Sequence, residues 1–101
     1  MILKRWQAPT IPSPEQMKML FFAEGLKFTE ELYPAKAEMI VHKHPFDEVR
    51  MIISGGLIFN LSGNKVLLRP GDRIEIPSNT QHEMSVHGDQ ECHSIVAFKV
   101  F

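Results

Sequence analysis

Four side chains in this sequence have metal-ligand chemistry at a spacing that lets them meet: His42, His44, Glu48 and His82. His42 and His44 are two residues apart, so on an extended strand both imidazoles leave the same face, one pleat apart. That is a chelating geometry. Pro45 breaks the strand, and Glu48 re-enters at the head of a new apolar run, where a bend can return its carboxylate to the two rings. His82 follows the turn-like run Pro77-Ser-Asn-Thr-Gln81 and opens another strand-like stretch through Val86. Three imidazoles and one carboxylate suit one divalent transition metal (iron, manganese, nickel or zinc), with coordination positions left for water or substrate. A His-x-His pair by itself is an ordinary feature of strands. Glu48 and His82, each beside a proline-containing turn, set this one apart.

The order His42-x-His44-x-x-x-Glu48, six residues, Gly55, and later Gly71, five residues, Pro77 and His82, closely resembles the two sequence motifs of the cupin superfamily. The likeness extends over about residues 30 to 101 and matches at all four metal positions. Three positions depart from it. Lys36 and Asn79 stand where the motifs usually carry Gly, and Val86 stands where the second usually closes with Asn. Asn79 can still take the left-handed conformation that a Gly would supply.

The resemblance implies an all-β single domain over residues 1–101, a double-stranded β-helix or jelly-roll barrel. A short N-terminal arm and helix occupy residues 1–30, and the barrel with both motifs occupies 31–101. It also implies a metal-dependent enzyme acting on a small oxygenated or carboxylate-bearing compound, of dioxygenase, isomerase, decarboxylase or lyase type. The alternative is a non-catalytic module that binds a metal or small molecule. Fold likeness of this kind specifies substrate hardly at all.

Glu48 and Arg50 are the residues expected to act on a substrate. Counting by two from Glu48, Arg50 faces the same cavity unless a bulge shifts the register. It then either grips an anionic substrate group beside the metal or pairs with an interior carboxylate as a structural cation. His93 opens the last strand and either lines the cavity as a proton shuttle or sits on a surface. His87 lies in a turn and is expected to be solvated. Phe59 and Met84 are expected to line the pocket wall, a role that ordinary core residues would share.

The elements that must position these groups can be read in outline. Ile2 to Trp6 is a strand candidate followed by an irregular arm through Pro9 and Pro12. Ser13-Pro14-Glu15-Gln16 is a helix start, with Ser13 as N-cap and Gln16 closing a capping box. Met17, Leu20 and Phe21 share one face, and Gly25 ends the helix. From Leu26 the pattern turns to strands, with Leu26, Phe28 and Leu32 at one parity. Runs at 37–44, 48–54, 57–61, 66–68, 73–76, 82–86 and 92–100 follow, separated by Gly, Pro and Asn turns every eight to twelve residues.

Composition bounds the remainder. The chain has 101 residues, 44% of them apolar, enough for one packed core. Eleven basic residues against twelve acidic ones leave a net charge of −1, which argues against nucleic-acid or membrane-lipid partners, while a small-molecule substrate or ligand is what the resemblance implies. Cys92 is the lone cysteine, no apolar run reaches membrane-spanning length, and the start lacks the order of a secretory signal, so the cytoplasm is expected. The N-terminal strand candidate is expected to extend a neighbour's sheet edge in a homodimer.

Overall fold

In a computed structural model, which describes residues 1–99 and of Val41 the backbone, the strand-like runs resolve into nine strands and one helix. In chain order these are β1 (Ile2–Lys4), α1 (Pro14–Ala23), β2 (Phe28–Tyr33), β3 (Glu38–His42), β4 (Asp47–Ser54), β5 (Gly56–Leu61), β6 (Asn64–Leu68), β7 (Arg73–Ile76), β8 (His82–His87) and β9 (Cys92–Lys99). Val100, where the sequence pattern ends the last strand, lies outside the described residues. The strands form two antiparallel sheets, ordered β1-β7-β4-β9-β2 and β3-β8-β5-β6. This is the expected all-β jelly roll with one short helix.

Alternate residues of both sheets supply the core between them, with Ile52, Leu57, Phe59, Leu68, Ile74 and Cys92 fully buried. A second core explains why β4 reads as almost continuously apolar. Its outward residues Val49 and Met51 pack beneath α1 against Met17, Phe21, Ile95 and Ala97, so both faces of the strand are covered. Leu20, expected on the same helix face, is instead 44% exposed. The helix is only ten residues long and meets the sheet through the single i,i+4 pair Met17 and Phe21, leaving Leu20 at the rim.

The helix ends follow their local chemistry. Ser13 Oγ accepts from Gln16 N at 3.2 Å, and Gln16 Oε1 accepts from Ser13 N at 2.8 Å. Gly25, at φ 74°, closes the other end: its N–H reaches Phe22 O and that of Leu26 reaches Phe21 O, each at 3.0 Å.

Two strands depart from expectation. β1 stops at Lys4, short of Trp6, and pairs with β7 of its own chain, Leu3 opposite Ile74. The buried Asp72 holds the arm there, accepting from Trp6 N at 3.0 Å, Arg5 Nη1 at 2.8 Å and Arg69 N at 2.9 Å. β2 begins at Phe28, ahead of residue 31, and pairs along its length with β9. Its inward face carries Glu31 and Tyr33, whereas Leu32 is 58% exposed. No helix among the described residues is long and apolar enough to cross a membrane.

Candidate metal centre

His42 ends β3 and His82 opens β8, and the ladder between these strands places the two directly opposite each other. Their ring centroids are 4.2 Å apart. His44 lies in the loop after β3, its ring 4.8 Å from that of His42 and 5.5 Å from that of His82. Glu48 enters from β4 in the other sheet. One candidate donor atom from each of the four residues lies within 4.8 Å of all the others. The four predicted positions therefore converge.

Backbone ties hold the loops in place. Asn79 N–H donates to His44 O at 2.6 Å, and Ser78 N–H donates to Asp47 Oδ1 at 2.8 Å, clasping the loop before β8 to the loop before β4. Lys36 and Asn79 both have positive φ, 64° and 60°, the conformation that the expected glycines would supply. Val86 is buried in the core.

The imidazoles are oriented by their other nitrogens. His42 Nδ1 lies 2.8 Å from Ile40 O and His82 Nδ1 lies 2.9 Å from Thr80 O. A carbonyl can only accept, so each Nδ1 carries the proton and each Nε2 presents a lone pair. Burial, opposed by the Thr80 bond and the Glu48 charge, depresses the pKa of His82 and favours this neutral form. His82 Nε2 is buried and has no hydrogen-bond partner among the described residues. A buried acceptor left unmatched is unfavourable by about 1–3 kcal/mol, and a divalent cation between the donors would satisfy it. The donor set and this unmatched lone pair fit one divalent transition metal.

Glu48 is held from behind. Its Oε2 accepts from Arg50 Nε at 3.1 Å, while Oε1 lies 3.4 Å from His44 Nε2 and 3.7 Å from His82 Nε2. Arg50 is 2% exposed; its Nη1 also donates to Ser94 Oγ at 2.8 Å and pairs with Glu31 Oε1 at 2.7 Å. Burial works against this charge, but Glu48 and Glu31 outweigh it and raise the Arg50 pKa above its ordinary value. Tyr33 Oη donates to Glu31 Oε1 at 2.8 Å, and burial pushes its phenol up to about 12. The His44 ring stacks on Phe46 and meets Phe98 edge-on, giving the site an apolar wall. A cavity of about 400 Å3 opens beside His42, His44 and Glu48, bordered also by Glu31, Tyr33, Arg50, Met84 and Phe98.

Other candidates fall elsewhere. His93 faces away from the cavity and pairs with Glu30 at 3.1 Å, because Cys92 and Ser94 take the inward positions on either side of it. His87 is exposed at the end of β8. Phe59 is fully buried with its ring 5.9 Å from that of His82, and Met84 borders the cavity. Glu31, Tyr33 and Ser94 were not singled out from the sequence. The Glu31-x-Tyr33 alternation was visible, but the competing parity of Leu26, Phe28 and Leu32 pointed to the opposite face.

A family profile described as "Cupin domain" matches residues 28–98. An acireductone dioxygenase of Bacillus licheniformis is 43% identical over 65 residues, covering 59% of this chain and 35% of that protein. The chain thus spans about a third of the length of the relatives it matches. Among solved structures, the DMSP lyase DddQ from Ruegeria pomeroyi superposes with a TM-score of 0.65 at 25% identity, covering 74% of this chain and 38% of that one. A cupin protein from Bacteroides fragilis superposes with a TM-score of 0.65 at 24% identity, covering 79% and 72%.

Proposed function

The chain belongs to the cupin family, and from that premise we propose that it is a metal-dependent enzyme acting on a small oxygenated compound, with dioxygenation as the reaction class. The observation that carries this reading is the convergence of His42, His44, Glu48 and His82 around a buried imidazole lone pair that nothing among the described residues matches. The likeness to acireductone dioxygenases, though it spans about a third of their length, supports dioxygenation over isomerase, decarboxylase or lyase chemistry and makes an acireductone the first substrate to try.

In this reading the four residues hold one ion of iron, manganese, nickel or zinc. When bound, such an ion supplies Lewis acidity toward an oxygenated substrate and a position for dioxygen. The protein's own groups do the remaining work. Arg50 fixes Glu48 with Oε1 turned toward the imidazoles, and the Ile40 and Thr80 carbonyls hold the His42 and His82 rings in the ligand tautomer. Phe46 and Phe98 against His44, with Met84 at the cavity, give the site an apolar wall that strengthens the charges beside it. Buried Cys92 supports a reducing compartment such as the cytoplasm. Exposed Ile11 and Met19, which line an apolar groove of about 570 Å3 beside α1, support a homodimer.

The test is elemental analysis of the purified protein, then dioxygen uptake with an acireductone by protein loaded with each of the four metals. Uptake that disappears in His82→Ala supports the enzyme. A stoichiometric metal without turnover of any candidate compound would leave a binding module instead.

A further inference from the structure

A buried guanidinium beside a metal centre would ordinarily be the anchor for a ligand carboxylate. Here two of its three nitrogens are engaged from within the protein. Arg50 Nε is committed to Glu48, and Nη1 to Ser94 and to Glu31 at 2.7 Å. Arg50 is 2% exposed, whereas the Glu31 side chain is 34% exposed and borders the cavity, so Glu31 lies between the guanidinium and an incoming ligand. Tyr33, two residues along the same strand, donates to Glu31 Oε1 and restrains the carboxylate from a second direction. Both bonds fall on Oε1. Oε2 is the acceptor left for a ligand.

The charge balance points the same way. Among the described residues bordering the cavity, Glu31 and Glu48 both contact the one guanidinium, so its charge is already taken up before a ligand arrives. A ligand carboxylate would add uncompensated charge next to Glu31 in a partly desolvated space. An uncharged ligand with a hydroxyl adds none, and its O–H has an acceptor waiting.

Resting on the reading of this cavity as a substrate site, we propose that Glu31 is its specificity-determining residue. It takes up the anion-binding face of Arg50, so the cavity takes a hydroxyl-bearing carbonyl compound in preference to a carboxylate, and Glu31 accepts the hydroxyl's hydrogen bond.

Hydroxyacetone and pyruvate form a suitable pair of probes, since they share an acetyl group and differ in a hydroxymethyl against a carboxylate. Both are titrated calorimetrically into metal-free and zinc-loaded protein, as wild type, Glu31→Gln and Tyr33→Phe. Wild type is expected to prefer hydroxyacetone. Glu31→Gln should strengthen pyruvate binding and weaken hydroxyacetone binding, each by about tenfold, the scale of one charge-assisted hydrogen bond. Tyr33→Phe keeps the Glu31 charge and should keep the wild-type order.

The proposal is overturned if Glu31→Gln leaves the ratio of the two affinities unchanged, if wild type prefers pyruvate, or if neither compound binds any of the proteins. Should Glu31→Gln fail to fold, the wild-type order decides alone. Failure to bind zinc would count against the metal-centre reading, while the metal-free titrations still decide the role of Glu31. Zinc binding with an unaltered ligand ratio would count against Glu31 only.

Discussion

His42 and His82 sit directly opposite each other on the β3–β8 ladder, so the histidine of the second motif is placed by a backbone register as well as by its loop. One ladder position brings together rings forty residues apart in sequence, and the same alignment leaves His82 Nε2 buried without a partner among the described residues.

That unmatched nitrogen makes the metal-free protein less stable than it need be, by about 1–3 kcal/mol. His82→Leu should therefore leave the melting temperature of chelator-treated protein unchanged or raised. The same substitution should abolish the stabilisation that zinc gives wild type, about 2.7 kcal/mol at a free concentration a hundred times the Kd. Thermal melts with and without zinc check both expectations. A zinc shift that survives in His82→Leu would remove His82 from the ligand set.

Arg50 neutralises Glu48 and Glu31 from a fully buried position. Removing one member of a buried charge cluster typically destabilises by about 3–5 kcal/mol, because the remaining charges are left uncompensated. Arg50→Met is expected to fall in that range by urea denaturation and to weaken metal binding through a loosened Glu48. A loss below about 1 kcal/mol would mean that solvent, not Arg50, compensates the two carboxylates.

Tyr33 is the only tyrosine in the chain, so its titration can be followed by absorbance near 295 nm without assignment. Burial holds the phenol at about 12 against an ordinary 10.0. In the folded protein, tyrosinate should therefore be nearly absent at pH 10 and appear only as the pH approaches 12. The sign for stability follows. Between those values the unfolded chain loses the proton and the folded chain keeps it, so stability falls with rising pH across that window and is unaffected by this group below it. Half-titration near pH 10 in protein still folded by circular dichroism would place Tyr33 in solvent.

Phe21 is fully buried between α1 and the sheet, and Leu20 beside it is not. Phe21→Ala should destabilise by about 3–5 kcal/mol, the usual range for truncating a buried aromatic. Leu20→Ala should fall within about 0.5 kcal/mol, as exposed substitutions generally do. Paired denaturant titrations separate the two, and equal losses would mean that another surface covers Leu20.

Much of the site was legible in the sequence because its determinants are local. The two-residue period of a strand puts His42 and His44 on one side, Pro45 forces the chain to turn, and Glu48 returns where the next apolar run begins. The helix was legible for the same reason: Ser13, Pro14, Gln16 and Gly25 each act on backbone groups within a turn of themselves. Even the departures at Lys36 and Asn79 left the backbone shape intact, since both residues adopt the left-handed conformation.

Long-range pairing decided what those local signals left open. Alternation shows which residues of a strand share a side, but not which side is the inner one. For β2 the pairing with β9 decided it, setting Glu31 opposite Ser94 and Leu32 opposite His93, so Glu31 faced the cavity and the leucine met solvent. The same register turned His93 away from the metal centre and supplied Arg50 with its second carboxylate. The sequence alone determined which four groups can hold an ion. Which groups surround the four was decided only in the folded molecule, because Arg50, Glu31 and Ser94 arrive on β4, β2 and β9 and meet through contacts between residues distant in the chain.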